Sequence, residues 1–430
     1  AIISGGVLAG VLSARLGDDR WQAGFLLIGL ALVGLTSSLG ILKLKPADPN
    51  KQFRINFLTE IWINIGKIRG DRVLLLAIAG STYFWFVGAL FGEPTILIYG
   101  KDVLNLSDEG VSLLRACLAI GIGVGSAVAG ILSGKKIEYG LVPLGAFGLA
   151  TSAALLSIPG LNFPMVGALM GLLGFSGGFY IVPLLALVQH RPRSEEKGSI
   201  IATNGWLTSL GVLFASGAFW FLRTVLDLSP AQIFLVGAIV TFAATIYAVR
   251  LMPDSVVRLV IWMLTHTFYR VKVLGRENIP LKGGALFVSN HLSLSDAFFL
   301  IASTDRHIRF IMFQGLYETW WIKPFARMLR VIPISSELRP REMIKSLQAA
   351  SEWIKSGNVV CIFAEGQITR IGQMLPFRKG MQKIMKGVDA PIVPVNLDGV
   401  WGSIFSFEKE KFYWKLPREI PYPVTVSYGK

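Results

Sequence analysis

Stretches of about twenty apolar residues, separated by short polar connections, fill the first 250 positions of the chain. Such a stretch matches the hydrocarbon thickness of a bilayer, where every backbone N–H and C=O must be satisfied inside the segment, so a series of them folds as a bundle of membrane-spanning helices. Seven spans are expected, near 21–42, 73–100, 110–133, 140–158, 162–188, 199–222 and 231–251, after an apolar stub at 1–16. Charge alternates along the connections. Lys43, Lys45, Lys51, Arg54, Lys67, Arg69 and Arg72 share one, Lys135 and Lys136 another, and Arg191, Arg193 and Lys197 a third, whereas SIPGLNF at 157–163 carries no charge. Positive connections remain cytoplasmic, so everything after Arg250 is expected on that side. The mean hydropathy of +0.56 fits a multi-pass membrane protein.

GIGVGSAVAGILSG at 121–134 supplies small residues at which membrane helices approach closely. Glu93, in FGEPTILIYG, is the ionisable residue within the spans that stands out as a transport candidate, because a carboxyl at membrane depth is costly and faces a cavity or a partner. A long basic connection followed by six spans resembles the C-terminal half of a major facilitator superfamily transporter. The resemblance makes the stub a fifth helix and residues 43–72 the central loop. GILSGKKIEYG at 130–140 lies where that family repeats a glycine and basic loop, without its aspartate and arginine. The chain starts without methionine inside an apolar stretch, as expected of a fragment whose first four helices are missing.

Beyond residue 251 the pattern changes. MPDSVVRLVIWMLTHTFYR, within 252–271, reads as an interfacial linker helix. From 272 onward, GALFVSN, VVCIFA and PIVPVNLDG read as strands and REMIKSLQAASEWIKSG as an amphipathic helix ending at glycine. Residues 1–250 hold 18 basic and 13 acidic side chains, and residues 251–430 hold 24 and 14, so the second part carries most of the net charge of +15. A basic, tryptophan-bearing domain beside a membrane suits anionic headgroups, acidic substrates or an acidic carrier protein, and no nucleic-acid motif competes. Aromatic and basic residues alternate in ETWWIKPFARMLR at 318–330 and KEKFYWK at 409–415, which suits a rim facing the membrane. Cys117 and Cys361 are far apart, in what read as a membrane helix and a buried strand, giving neither a disulfide framework nor a metal site.

NHLSLSD at 290–296 places an aspartate five positions after one of only four histidines. Residues five apart on a helix lie about 140° around the axis from each other, so His291 and Asp296 meet only if the strand ends at Asn290 and a turn precedes a helix capped by Ser293 or Ser295. Asp296 would then fix one imidazole nitrogen and leave the other as a general base for an alcohol. The spacing alone is weak, since His190 and Glu195 share it. A second unusual cluster, FAEGQITR at 363–370, strengthens it.

Together the two clusters resemble the lysophosphatidic acid acyltransferase family of glycerophospholipid acyltransferases over roughly residues 255–430. NHLSLSD matches the first block, Phe363, Glu365 and Gly366 the third, and PIVPV with Pro394 the fourth. VIPISSELRPRE, with Arg339 and Arg341, stands weakly for the second. The resemblance implies that His291 deprotonates a glycerol hydroxyl, Asp296 stabilises the imidazolium, and Glu365 and Gly366 shape the acceptor site with backbone N–H groups directed at phosphate. It implies no bound cofactor or metal, and acyl carrier protein or coenzyme A as carrier of the acyl group. The family arginine follows its glycine closely, whereas Gln367, Ile368 and Thr369 intervene here before Arg370. A looser basic region of Arg370, Arg378 and Lys379 suits the single charge of a phosphodiester, so an intact lysophospholipid is the expected acceptor. FAEGQITRIGQMLPFRKG followed by LDGVWGSIFSFE also resembles bacterial 2-acylglycerophosphoethanolamine acyltransferases, in which such a domain is joined to a facilitator-type lysophospholipid transporter.

The expected architecture is a partial facilitator-type all-α membrane bundle over 1–251, the linker helix over 252–271 and a cytosolic α/β glycerophospholipid acyltransferase domain over 272–430. The expected function is lysophospholipid uptake or flipping coupled to reacylation at a bacterial inner membrane. A membrane-anchored acyltransferase without transport, and a transporter with a regulatory acyltransferase-like domain, remain the alternatives.

Overall fold

The computed structural model describes residues 20–41, 56–134, 137–251, 253–304, 306–334, 340–408 and 419–430. The expected stub at 1–16, Arg339 and the segment 409–415 lie outside the described residues. Two units divide the chain, Ala1–Met252 and Pro253–Lys430.

Some helices of the first unit begin where a side chain takes up the N–H groups that a helix start leaves open. Asp71 accepts from Val73 N at 3.0 Å and Leu74 N at 3.2 Å to open helix Arg72–Phe91. Asn162 accepts from Met165 N at 3.0 Å to open Phe163–His190. Helix Pro230–Leu251 opens with a reciprocal pair, in which Ser229 N donates to Gln232 Oε1 at 2.8 Å and Gln232 N donates to Ser229 Oγ at 3.3 Å.

Among the described residues, five helical stretches are long and apolar enough to cross a membrane: Arg72–Val103, Asp108–Ser133, Phe163–His190, Lys197–Val225 and Pro230–Leu251. Two of the seven expected spans are shorter, Ala23–Leu39 with 17 residues and Leu141–Leu156 with 16. At the α-helical rise they reach about 25 Å, below the roughly 30 Å of a hydrocarbon core. The sequence SIPG closes the second of them, with Gly160 at φ +81°.

The span expected at 73–100 is interrupted. Helix geometry fails at Gly92 and resumes in Glu93–Ile98. Pro94 has no N–H to offer the Leu90 carbonyl four residues earlier, and the Thr95 hydroxyl donates to that carbonyl instead, at 2.5 Å. Glu93 therefore opens a helix, and its side chain lies outside the described part of the structure.

Helices Asp108–Ser133 and Phe163–His190 meet along a seam where backbone touches backbone. A Cβ on Gly125 would lie 2.1 Å from Phe175 O, and one on Gly174 would lie 2.1 Å from Leu118 O. No larger residue fits, which is the physical content of the small-residue pattern. Gly123, on the same run, has open space around it.

The second unit is a seven-stranded sheet in the order β1-β7-β6-β2-β5-β3-β4. The strands are β1 (Tyr269–Leu274), β2 (Ala285–Ser289), β3 (Ile308–Phe313), β4 (Ile332–Ile334), β5 (Val359–Phe363), β6 (Ile392–Asp398) and β7 (Tyr422–Tyr428). All neighbours are parallel except β6 and β7. Central β2 is buried along its whole length, as its continuous apolar run requires when helices cover both faces. Phe287 joins Phe299, Phe310 and Val395 in one core, while Leu286 and Val288 join Leu347, Ile354 and Val360 in the other. Helix Pro340–Lys355 buries Leu347, Ala350 and Ile354 against the second core.

The linker expected at 252–271 is corrected in part. Helix Pro253–Phe268 runs directly into β1 at Tyr269, and Ile261 is buried in the first core with Val257 packed against it. One face of this helix is thus integral to the α/β unit. Strands β2 to β6 run the same way and end at one edge of the sheet. Because β7 opposes β6 and β1 follows β7, β1 starts at that same edge.

Gly174→Ala should lower stability by about 1–3 kcal/mol through overpacking of the seam, read as a lower Tm in detergent. Gly123→Ala should be close to neutral in the same assay. In the second unit, complete burial and the nearby Asp296 charge push the Cys361 thiol above its ordinary value of 9.0, and burial raises Tyr269 and Tyr428 above 10.0. The folded state then holds protons that the unfolded chain releases, so this contribution is complete below pH 9 and is lost as pH rises above it. Denaturant midpoints should fall from pH 9 to 11, and Cys361→Ala should flatten the first part of that fall.

Candidate active site

Asn290 follows β2, and its side-chain amide is held on both sides by the backbone of β6. Its Nδ2 donates to Leu397 O at 2.9 Å, and its Oδ1 accepts from Leu397 N at 2.8 Å. The chain is therefore fixed as it leaves the sheet, and the turn that follows brings His291 and Asp296 together. The strand ends one residue earlier than expected, at Ser289, and helix Asp296–Ser303 follows the turn. Ser295 holds the capping position without capping through its side chain, since its hydroxyl pairs with Ser293 Oγ at 2.5 Å.

Asp296 is fully buried, and its Oδ2 gathers three contacts: His291 Nδ1 at 2.8 Å, Leu292 N at 2.6 Å and Ser293 N at 3.0 Å. An oxygen that accepts two backbone N–H groups acts as a carboxylate acceptor, so Nδ1 is assigned the imidazole proton and Nε2 the free lone pair. The His291 ring lies against Phe363 with centroids 4.1 Å apart and planes 14° apart. A phenyl face on one side and a buried carboxylate on the ring edge leave the imidazole little rotational freedom.

The FAEGQITR run clamps the same histidine by its backbone. His291 N donates to Glu365 Oε1 at 2.9 Å, and His291 O accepts from Thr369 N at 3.0 Å. The other Glu365 oxygen accepts from Leu375 N at 2.8 Å. Both carboxylate oxygens of Glu365 thus serve backbone donors, so it acts by holding these two segments together. Gly366 donates its N–H to Phe363 O at 3.0 Å. Its φ of +70° and the Arg378 side chain, 2.8 Å from where a Cβ would stand, explain the glycine. Thr369 is buried; its N–H reaches His291 O, and its Oγ1 accepts from Ile371 N at 3.3 Å.

Arg370, Arg378 and Lys379 are exposed on the loop that carries this clamp. The Arg370 guanidinium lies 5.6 Å over the Phe407 ring, and the Arg378 side chain crosses Gly366. Arg341 is exposed in the first turn of helix Pro340–Lys355. The structure thus gathers His291, Asp296, Glu365, Gly366, Thr369 and Arg378, and places Arg370 and Lys379 on the same loop. Sequence reasoning missed Asn290 and Leu375 as positioning residues. A polar Asn ending an otherwise apolar strand was a usable signal for the first. Leu375 acts through its N–H, which no residue type betrays.

Glu365→Ala removes the acceptor of two N–H groups and should destabilise this unit by about 1–3 kcal/mol for each one left unsatisfied. Glu365→Gln keeps one acceptor oxygen but sets an amide N–H₂ against the other donor, so it should recover only part of the loss. Thermal unfolding together with amide exchange at His291 and Leu375 checks both.

Residues 1–216 match the family model of the Major Facilitator Superfamily, and residues 270–398 match that named Acyltransferase. A lysophospholipid transporter of Yersinia enterocolitica is 28% identical over 225 residues, 51% of this chain and 54% of the relative. A chloroplastic 1-acyl-sn-glycerol-3-phosphate acyltransferase of Brassica napus is 31% identical over 135 residues, 31% of this chain and 39% of the relative. The chain therefore spans about half or less of the length of these two relatives. The 1-acyl-sn-glycerophosphate acyltransferase of Thermotoga maritima aligns at a TM-score of 0.35 with 22% identity, over 49% of this chain and 81% of that one. With half of its residues inside the facilitator model, the chain belongs to the Major Facilitator Superfamily, and it continues into an acyltransferase-type α/β unit.

Proposed function

We propose that the second unit transfers an acyl group from a thioester to the free hydroxyl of a lysophospholipid, and that the membrane unit carries that lysophospholipid across the bilayer. The observation that carries the enzymatic part is the 2.8 Å contact between His291 Nδ1 and buried Asp296, made rigid by the Glu365 and Thr369 clamp on the same residue. His291 Nε2 takes the hydroxyl proton as the oxygen attacks the thioester carbonyl, and Asp296 stabilises the imidazolium. The tetrahedral adduct collapses by breaking its C–S bond, and the thiolate leaves with the proton returned from His291. Acyl carrier protein or coenzyme A carries the departing sulfur, and the exposed cations Arg370, Arg378 and Lys379 suit the phosphate of the acceptor. The transporter named among the relatives supports the transport half, and the positive connections support a bacterial inner membrane with the second unit cytoplasmic.

A second reading has its own support: the acyltransferase relatives are named for 1-acyl-sn-glycerol-3-phosphate, a phosphate monoester. Acyl transfer from a labelled thioester to intact lysophospholipids and to lysophosphatidic acid separates the two. Transfer to the intact lipids, reduced about 10²–10⁴-fold by His291→Ala, is expected for a lost general base. Transfer to lysophosphatidic acid alone would replace the first reading by the second. Vesicle flipping of labelled lysophospholipid tests transport, and no flipping by the full-length protein would remove that half.

A further inference from the structure

A cleft of about 520 Å³ opens in the membrane unit between helices Phe57–Gly70, Arg72–Phe91 and Lys197–Trp220. Its long wall is the second of these, from Leu75 to Phe86, and eleven residues at the α-helical rise make that wall about 16 Å long. Leu207 and Phe214 line it from the third helix. Gly211, between them, leaves the space unfilled, and a Cβ there would lie 2.9 Å from Thr82 O. The Tyr83 hydroxyl in the lining is already paired with Thr241 Oγ1 at 2.8 Å. Apolar surface therefore dominates, and the charged residue of the described lining is Arg69. It lies three positions before helix Arg72–Phe91 begins, and so stands at the Leu75 end of the wall.

Arg69 is exposed and makes no ion pair among the described residues. The acids close to it in the fold are taken by other cations: Glu196 holds Lys67 at 2.9 Å, and Asp71 holds Arg191 at 2.6 Å. Helix Phe57–Gly70 is also fixed to Lys197–Trp220 by Asn64, whose Nδ2 donates to Thr203 Oγ1 at 3.0 Å and to Ser199 O at 3.3 Å, so the cleft is formed before any ligand enters. A guanidinium at one end of an apolar cleft suits an amphiphile, because its paired N–H groups match phosphate oxygens while the walls cover a chain. The volume takes one long acyl chain and is overfilled by two. We infer that this cleft seats a lysophospholipid, its single acyl chain between the Leu75–Phe86 wall and Leu207 and Phe214, its phosphate on Arg69. The naming of that lipid rests on the transport reading. Arg69 belongs to the positive connection that ends at Arg72, so the headgroup is held on the side at which an inward-carried lipid arrives.

The test uses the full chain in nanodiscs with a lysophosphatidylethanolamine that carries a photoactivated diazirine in its acyl chain, the labelled peptides being read by mass spectrometry. Labelling is expected on the walls, at Ile78, Phe86, Leu207 or Phe214. Arg69→Gln removes a charge at an exposed position and should lower wall labelling about tenfold, with partial recovery in Arg69→Lys. Ala79→Trp, which fills the cleft, should lower it at least as far, whereas Ile131→Trp, at a position 77% exposed on helix Asp108–Ser133, leaves it unchanged. Should Ala79→Trp fail to fold, Arg69→Gln decides alone. Labelling spread evenly over the membrane helices, or wall labelling that Arg69→Gln does not change, overturns the proposal. Equal wall labelling by a diazirine fatty acid, or by a diacyl phosphatidylethanolamine, also overturns it, the first assigning the cleft to a carboxylate and the second to ordinary bilayer lipid. Wall labelling without flipping in vesicles leaves the seat standing and removes the transport reading; flipping without wall labelling removes the seat and leaves transport.

Discussion

One buried carboxylate holds the site together. Glu365 is 2% exposed and accepts from the backbone of His291 with one oxygen and from that of Leu375 with the other. Removing a carboxylate from water is expensive unless both oxygens find donors, and here the donors belong to two segments that the sheet alone does not align. The turn after β2 and the loop after β5 leave adjacent parallel strands, yet neither has regular structure to fix it. Glu365 and the Thr369 N–H supply that fixation. The histidine is consequently positioned by its own main chain before its imidazole makes any contact.

Asp296 plays a different part from the same starting cost. It lies in the first turn of helix Asp296–Ser303, where the partial positive charge of a helix start favours a carboxylate, and two backbone N–H groups share Oδ2 with the imidazole. Its other oxygen is buried with no hydrogen-bond partner among the described residues. The backbone therefore fixes the one oxygen that the imidazole shares, and the Nδ1 edge of the His291 ring with it.

Legibility in the sequence followed the kind of signal. The central strands were readable because β2 and β5 are short apolar runs bounded by turns, and the pairing of His291 with Asp296 was readable because a second conspicuous cluster, FAEGQITR, stood beside their spacing. Elements fixed by one side chain on a main-chain group were not. Thr95 reaching back to the Leu90 carbonyl is what makes a break at Gly92 tolerable, and hydropathy is blind to that hydroxyl. Likewise, a glutamate in a conspicuous motif looks the same in sequence whether it faces a substrate or two N–H groups. The motif marked Glu365 and Gly366 as special, and the structure shows that one holds the backbone of His291 and Leu375 while the other gives its N–H to Phe363 O.

Parallel topology explains why so much converges on one edge. In an open parallel sheet the connections after each strand emerge together, so residues far apart in the chain share a rim without packing against one another. The antiparallel turn from β6 to β7 then sends β1 the other way, and this brings the start of β1, with the helix that precedes it, to the rim that carries His291. Were β7 parallel to β6, that helix would enter at the opposite edge, away from the histidine. One strand reversal thus sets the edge at which helix Pro253–Phe268 feeds the sheet.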